Sequence, residues 1–150
     1  MITFCTLFSG SSGNAVYFAT DQGALLVDCG MSGRQVLDAL CAAGLDPAGL
    51  KALLITHEHS DHVKGVGVLS RRLGLPVYAT EGTWQGMDSA VGELAPQHRI
   101  VIRAGESFFL NDLEIAPFSI PHDAADPVGY RIFARDHSVA VATDLGYFSQ

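Results

Sequence analysis

The feature that most constrains the fold is a short apolar run, residues 52–56, that changes abruptly into a polar segment. A continuous apolar run of this length is typical of a buried strand, and its sudden end predicts the place where that strand reaches the edge of its sheet. The polar segment that follows holds three of the six histidines of the chain, interleaved with two acids, in the order His57-Glu58-His59-Ser60-Asp61-His62.

These side chains are typical of a metal site. Imidazole nitrogens and carboxylate oxygens are the ligands that proteins use for zinc, iron or manganese. In such a loop His57 and His59 are suited to one ion while Asp61 and His62 face a second, and the two ions of such a site lie roughly 3.5 to 4 Å apart. The competing interpretation is a solvated polar loop.

Other apolar runs also end in a possible ligand. Residues 115–121 are followed by His122, and residues 139–143 are followed by Asp144. Ligands that come from the ends of different strands meet at one edge of a sheet, so the pattern predicts a single site built from several segments. The alternatives are a loop histidine after a proline for His122, and a turn or helix-cap aspartate for Asp144.

Three further polar residues border these segments. Asp28 ends another apolar run, and we predict that its carboxylate orients a ligating imidazole or caps the loop. Glu58 and Ser60 alternate with the predicted ligands, so we expect them to point away and either to support the loop or to face solvent.

The remaining patterns predict strands and helices in mixture. Between Ser32, a plausible N-cap, and Gly44, a plausible C-terminal residue, apolar side chains recur at helical spacing. We expect further helices at 63–73 and 81–89, and strands at 2–9, 14–19, 24–28, 52–56, 76–79, 128–134 and 138–143, with two or three more within 99–117. This order favours an α+β fold in which sheets pack face to face with helices outside, and not a doubly wound parallel sheet.

Length and composition set broad limits. The chain has 150 residues, enough for a single domain with its own apolar core. It shows no apolar run long enough to cross a bilayer and no leader at its start, which predicts a soluble cytoplasmic protein. The formal charge of −7 argues against tight nonspecific binding to a polyanion, but carboxylates that hold metal ions are counted in it, so a nuclease is not excluded.

The cysteines do not predict a metal site or a disulfide. Cys5, Cys29 and Cys41 are odd in number and lack the C-x-x-C spacing of zinc and redox sites. We expect each to be a small buried apolar residue.

At this point a resemblance is specific. The segment from His57 to His62 matches the H-x-H-x-D-H signature of the metallo-β-lactamase superfamily, and His122 and Asp144 follow in the order of that family's next ligands. Within the superfamily, five segments resemble the YycJ (WalJ) branch: Ser9-Gly10-Ser11-Ser12-Gly13-Asn14, residues 56–63, Pro121-His122-Asp123, Pro127-Val128-Gly129-Tyr130 and Thr143-Asp144-Leu145-Gly146.

The resemblance implies a four-layer αββα sandwich with a dinuclear site at one edge and, for this branch, a metal-dependent exonuclease that acts on DNA. The implied metals are two divalent ions, zinc first, with manganese or iron as alternatives. His57, His59 and His122 would bind the first ion, Asp61 and His62 the second, and Asp144 would bridge them. In a phosphodiesterase of this kind Asp61 would also orient or deprotonate the attacking water.

One departure from the family pattern is expected to matter. The family has a second half that supplies a late histidine, whereas six residues follow Asp144 in this sequence. We therefore expect an incomplete domain with a second metal site one ligand short, and with exposed sheet surface that favours self-association. Two alternative functions stay open: hydrolysis of a small thioester, lactone or cyclic phosphodiester, and a metal-binding module without catalysis.

Overall fold

The computed structural model describes residues 2–121 and 123–142 as two β-sheets with four α-helices. The first sheet has six strands in the order of the chain, namely β1 (Thr3–Phe8), β2 (Ala15–Thr20), β3 (Gly23–Val27), β4 (Leu50–Leu54), β5 (Val77–Thr80) and β6 (Arg99–Ile102). Its first three strands are antiparallel, and β3 to β6 run parallel. The second sheet is antiparallel in the order β10-β9-β8-β7, with β7 (Phe108–Leu110), β8 (Leu113–Ser119), β9 (Val128–Ala134) and β10 (His137–Val141).

The helices connect the parallel strands. They are α1 (Gly33–Ala42), α2 (Ser60–Val63), α3 (Val66–Leu73) and α4 (Glu81–Val91), with single 3₁₀ turns at Pro47–Gly49 and Pro96–His98. The start of α1 is fixed by a capping box, since Ser32 accepts from the backbone of Gln35 and the side chain of Gln35 accepts from the backbone of Ser32. None of the helices in the described ranges is long and apolar enough to cross a membrane.

Alternation along the central strands separates two apolar cores. Leu26 and Leu53 face the helices, where they join Val36 and Leu69 in one buried cluster. Leu25 and Leu54 face the other way and pack in a second cluster with residues of β8 and β9. The described residues therefore form a layer of helices, a mixed sheet and an antiparallel sheet, with one core between each pair of layers.

Most predicted elements are confirmed, including the Ser32 cap, the three strands within 99–117 or close to it, and the last two strands, β9 and β10. The helix predicted over 63–73 is confirmed as α3, which ends at Leu73 but begins only at Val66, because the chain breaks at Lys64 and Gly65 after the short helix α2. A side chain at Gly65 would place its Cβ 2.4 Å from the carbonyl oxygen of Met31, so this close approach requires glycine. The sequence patterns also did not predict that β3 to β6 are parallel.

The expectation for the cysteines was correct for one of the three. Cys29 is fully buried, Cys5 is half-buried against the core, and Cys41 is exposed on α1. Cys41 follows Leu40 directly, and on a helix a neighbour of a core residue points well away from it.

Candidate metal centre

The candidate site lies where β3 and β4 end side by side. Asp28 follows β3, and Thr56 and His57 follow β4 closely. The backbone nitrogen of Asp28 donates to the carbonyl oxygen of Leu54 at 2.8 Å, which fixes the two strand ends against each other. Because the carboxyl ends of neighbouring parallel strands open at the same edge of a sheet, residues 28 apart in sequence are brought into contact there.

Asp28 is the centre of a buried hydrogen-bond network. Its side chain is 1% exposed, and its Oδ1 accepts from the backbone nitrogen of Thr56 at 2.8 Å. Its Oδ2 accepts from Thr56 Oγ1 and from His62 Nδ1, both at 2.7 Å. A carboxylate only accepts, so His62 carries its proton on Nδ1 and, as a neutral imidazole, presents the lone pair of Nε2. The prediction that Asp28 orients an imidazole therefore matches the structure.

Matching donors with acceptors in the same way fixes the tautomer and orientation of the His57 ring. Its Nδ1 lies 2.9 Å from Thr56 Oγ1, which has already donated its one proton to Asp28. The hydroxyl oxygen must then accept, so His57 Nδ1 donates to it and the lone pair of His57 is on Nε2. One carboxylate thus sets the tautomers of two imidazoles, one directly and one through a threonine.

The other predicted ligands in this loop lie close to these two rings. The ring centroid of His57 is 4.0 Å from that of His62 and 4.7 Å from that of His59. Asp61 Oδ2 is 3.6 Å from His62 Nε2. The amide nitrogen of Asn14 donates to the carbonyl oxygen of Gly10 at 2.9 Å and lies 3.3 Å from both Asp61 Oδ2 and His62 Nε2, so its second proton is shared among the acceptors of this cluster.

Backbone contacts hold the loop 57–62 against the segment that follows β3. Cys29 donates to the carbonyl oxygen of His62 at 2.9 Å and accepts from the nitrogen of Gly65 at 2.8 Å. Asn14 donates to the carbonyl oxygen of Asp61 at 2.8 Å. The approach is tight enough at Gly30 that a Cβ there would lie 1.7 Å from the carbonyl oxygen of Asp61.

Cys29 itself is not a reactive thiol. It is completely buried between Asp28 and Gly30, and desolvation, followed by the negative charge of Asp28, raises the pKa of its thiol well above the ordinary value. A completely buried thiol does not meet reagents from solvent, so Cys29 contributes packing and backbone hydrogen bonds to the site.

The segment between β8 and β9 borders the same region. Val128 donates to the carbonyl oxygen of Thr56 at 2.9 Å, and Ala125 donates from its backbone nitrogen to Glu58 Oε2 at 3.0 Å. His122 belongs to this segment but lies outside the described residues, as does Asp144. Among residues 2–121 and 123–142, no three acid, histidine or cysteine side chains form a group that would hold an ion by themselves.

With this geometry in place, comparison with known proteins identifies the family. A model of the beta-lactamase superfamily domain matches residues 24–150. The chain belongs to the beta-lactamase superfamily. The resemblance inferred from the H-x-H-x-D-H segment is thereby confirmed.

Two relatives within the superfamily carry more specific names. The chain is 40% identical over 146 residues to the exodeoxyribonuclease YycJ of Bacillus anthracis, covering 97% of this chain and 55% of that protein. It is 41% identical over 148 residues to the exodeoxyribonuclease WalJ of Streptococcus pneumoniae serotype 2 (strain D39), again with 97% and 55% covered. The chain therefore spans about half the length of the curated relatives it matches.

A solved structure confirms the metallo-β-lactamase fold. A class B3 di-zinc metallo-β-lactamase from an Alaskan soil metagenome superposes with a TM-score of 0.68 at 18% sequence identity. The match covers 86% of this chain and 56% of that one. At this identity the likeness concerns the fold, and the three described layers correspond to part of the predicted four-layer sandwich.

Sequence reasoning missed Asn14 and Thr56 as parts of the superfamily site. Thr56 ends the apolar run directly before His57, so a hydroxyl next to a predicted ligand was a usable signal. Asn14 ends the Ser-Gly-rich turn, where its side chain exchanges hydrogen bonds with the backbone of Gly10. Its contact with Asp61, 47 residues away, had no local signal.

Proposed function

We propose that this chain is part of a metal-dependent hydrolase that cuts phosphodiester bonds, as an exonuclease that acts on DNA. The observation that carries the proposal is the network from Asp28, which turns the Nε2 lone pairs of two neighbouring imidazoles away from their supporting hydrogen bonds. A surface loop of polar residues has no need of such a buried support. The names of the relatives YycJ and WalJ, both exodeoxyribonucleases, support the choice of substrate.

The donor set fits divalent ions, and zinc first. His62 Nε2 and Asp61 Oδ2 are 3.6 Å apart, close to the separation of about 3.4 Å between two ligands of a tetrahedral zinc ion. His57, His59 and His122 are the proposed ligands of one ion, Asp61 and His62 of a second, and Asp144 the proposed bridge. Carboxylate and imidazole together also suit manganese and iron.

Different residues of the chain have different proposed roles in the hydrolysis. When bound, the ions supply Lewis acidity that withdraws charge from the phosphate oxygens. Asp61, whose side chain is 25% exposed, can reach a water and is the group we assign to orient or deprotonate it for in-line attack on phosphorus. Asn14 holds the Asp61 carboxylate by its amide, and Asp28 and Thr56 keep the imidazole protons away from the ligand face.

The same proposal places the protein in the cytoplasm, where a DNA exonuclease finds its substrate. It also leaves the small-ester hydrolase and the noncatalytic metal-binding module as the rival outcomes of one experiment, since a fold alone does not choose a substrate.

The test combines metal content with substrate assays. Two bound ions per purified chain after addition of zinc or manganese, together with degradation of linear duplex DNA from its ends, would support the nuclease proposal. Asp61→Ala should abolish turnover while leaving the urea unfolding midpoint within the range of an exposed control, Asp136→Ala. Full activity in Asp61→Ala would contradict the assigned role.

The other outcomes separate the alternatives. Two bound ions with turnover of a thioester, lactone or cyclic phosphodiester, but not of DNA, would replace the nuclease assignment with the small-substrate one. One bound ion with no turnover would favour the noncatalytic metal-binding module, and no bound ion with no turnover would mean that these 150 residues lack what the metal site and the catalysis require.

A further inference from the structure

Glu58 sits between two segments that carry proposed metal ligands. It lies between His57 and His59 in sequence, and its Oε2 accepts from the backbone nitrogen of Ala125 at 3.0 Å. Its other carboxylate oxygen, Oε1, is buried and accepts no hydrogen bond from the described part of the chain. A carboxylate held in this way is costly to bury, so its contact with Ala125 requires an explanation.

Two glycines of α4 make the room for this contact. A Cβ at Gly86 would lie 2.5 Å from Glu58 Cγ and 2.9 Å from Glu58 Cβ. A Cβ at Gly82, one turn earlier on the same face, would lie 3.0 Å from Asp126 Cβ and 3.2 Å from Ala125 Cβ. Glycine inside a helix costs about 1 kcal/mol relative to alanine, so two on one face indicate that close packing there outweighs helix propensity.

The segment that Glu58 reaches is otherwise tied mainly at its base. Ile120 donates to the carbonyl oxygen of Pro127 at 3.3 Å, which closes the loop 120–127. Thr80 Oγ1 donates to the carbonyl oxygen of Asp126 at 2.9 Å. Among the described residues, the hydrogen bond from Ala125 to Glu58 joins this segment to the loop 57–62, and Ala125 is three positions from His122 in the sequence.

We propose that Glu58 is a positioning residue that clamps residues 123–127 against the loop 57–62, which carries proposed metal ligands. The clamp consists of the Glu58 carboxylate, the Ala125 amide and the glycine face of α4. Its consequence for metal binding rests on the proposed function, because it assumes that His122 is a ligand. The proposed effect of the clamp on the segment around Ala125 does not depend on the proposed function.

The first test follows the Ala125 amide by hydrogen exchange in the metal-free protein. We expect Glu58→Ala to speed exchange of this amide at least about tenfold, the effect of losing a hydrogen bond to a charged acceptor. Glu58→Gln keeps an acceptor oxygen and should stay within about threefold of the wild type. Glu93→Ala, at an exposed glutamate near the end of α4, is the matched control and should change nothing.

A second variant reaches the clamp without touching Glu58. Gly86→Ala should also speed exchange at Ala125, and by more than it speeds exchange in the central strands, whereas Gly49→Ala, where an added Cβ meets nothing within 4 Å, should change neither. Loss of midpoint together with faster exchange throughout the sheet would show general loosening and would overturn the clamp. Unchanged exchange at Ala125 in Glu58→Ala would overturn it as well.

The link to the metal is tested by titration with cobalt(II), whose absorption bands report imidazole coordination. We expect Glu58→Ala to weaken binding by about tenfold and to alter the bands, with Glu58→Gln close to wild type. If the wild type binds no metal while Ala125 still responds, the clamp stands and the proposed function fails. If the wild type binds cobalt and Glu58→Ala binds it equally well with the same bands, the link from clamp to ligand is refuted and the proposed function stands.

Discussion

Replacing Asp28 by asparagine separates the orientation of the imidazoles from the stability of the fold. The introduced amide has the size of the carboxylate but offers one acceptor and one donor. The backbone nitrogen of Thr56 cannot change its role, so the amide oxygen must stay where Oδ1 is now. The amide nitrogen then faces Thr56 Oγ1 and His62 Nδ1, two atoms that donate in the native protein.

The network can close again only with its protons reversed. The amide nitrogen donates to His62 Nδ1 if His62 moves its proton to Nε2, and the Thr56 hydroxyl rotates to accept. Two hydrogen bonds to a charged acceptor, about 1.5 to 3 kcal/mol each, become neutral ones of about 0.5 to 1.5 kcal/mol. We therefore expect Asp28→Asn to lower the free energy of unfolding by about 2 kcal/mol, and the protein to stay folded.

The effect on metal binding should be larger than that loss of stability suggests. With the proton on Nε2, His62 no longer presents a lone pair beside Asp61, and changes of this kind typically weaken metal affinity by about 10- to 100-fold. The assays are urea unfolding of the metal-free protein, nitrogen-15 shifts of the His62 ring, and zinc competition with a chelator. Asp46→Asn is the control, because Asp46 caps an exposed 3₁₀ turn where asparagine is an equal cap.

The nitrogen-15 shifts of the His62 ring are the decisive measurement, because they report its tautomer in the metal-free protein. If His62 in Asp28→Asn keeps its proton on Nδ1, the Asp28 carboxylate does not determine the His62 tautomer, whatever the zinc affinity. If the tautomer reverses and zinc affinity is unchanged, His62 is oriented as described but is not a ligand.

Three further predictions concern the packing around the site. Gly30→Ala should lower the free energy of unfolding in urea by at least about 3 kcal/mol, because its Cβ would meet the Asp61 carbonyl oxygen at 1.7 Å. The control Gly49→Ala should be nearly neutral, and equal unfolding midpoints for the two variants would refute the close approach at Gly30. Tyr130→Phe removes the buried hydrogen bond to the Ile55 carbonyl oxygen, 2.6 Å long, and should cost about 1 kcal/mol at pH 7. Because burial raises the pKa of Tyr130 well above 10.0, the folded state holds this proton longer than the unfolded state, so stability should fall as pH rises above about 10, and less steeply in Tyr130→Phe. With a thiol reagent, Cys41 should react first, Cys5 more slowly and Cys29 only on unfolding; early modification of Cys29 would contradict its burial.

The elements of the fold were largely predictable because their signals are local. The strand before His57 shows as an apolar run, and α1 shows as an apolar period with a capping serine. The break between α2 and α3 was not predictable, since Gly65 is required by a contact with Met31 from another part of the chain. A glycine within a helical period costs little enough that sequence alone favours an unbroken helix.

The candidate site was predictable to the extent that its residues are ligand types at strand ends. His57, His59, Asp61 and His62 lie together, whereas His122 and Asp144 lie outside the described residues and stay predictions. The contacts that support the site were not predictable from the sequence. The contact from Glu58 to Ala125 joins residues 67 apart, and no spacing in the sequence indicates which backbone nitrogen a glutamate will meet.

The backbone conformation of Asp28 is strained, and this strain is outweighed by the hydrogen bonds that its carboxylate accepts. Its φ is 65°, a left-handed conformation that glycine adopts without strain and that costs other residues on the order of 1 kcal/mol. Glycine here would remove that strain, but it would leave the Thr56 nitrogen, the Thr56 hydroxyl and His62 Nδ1 without their acceptor in a buried place, at about 1 to 3 kcal/mol for each group. The second cost exceeds the first several-fold. An aspartate in this strained conformation is therefore the more stable choice, and its carboxylate, as part of the folded core, holds the imidazoles of His57 and His62 in their orientation by protein contacts alone.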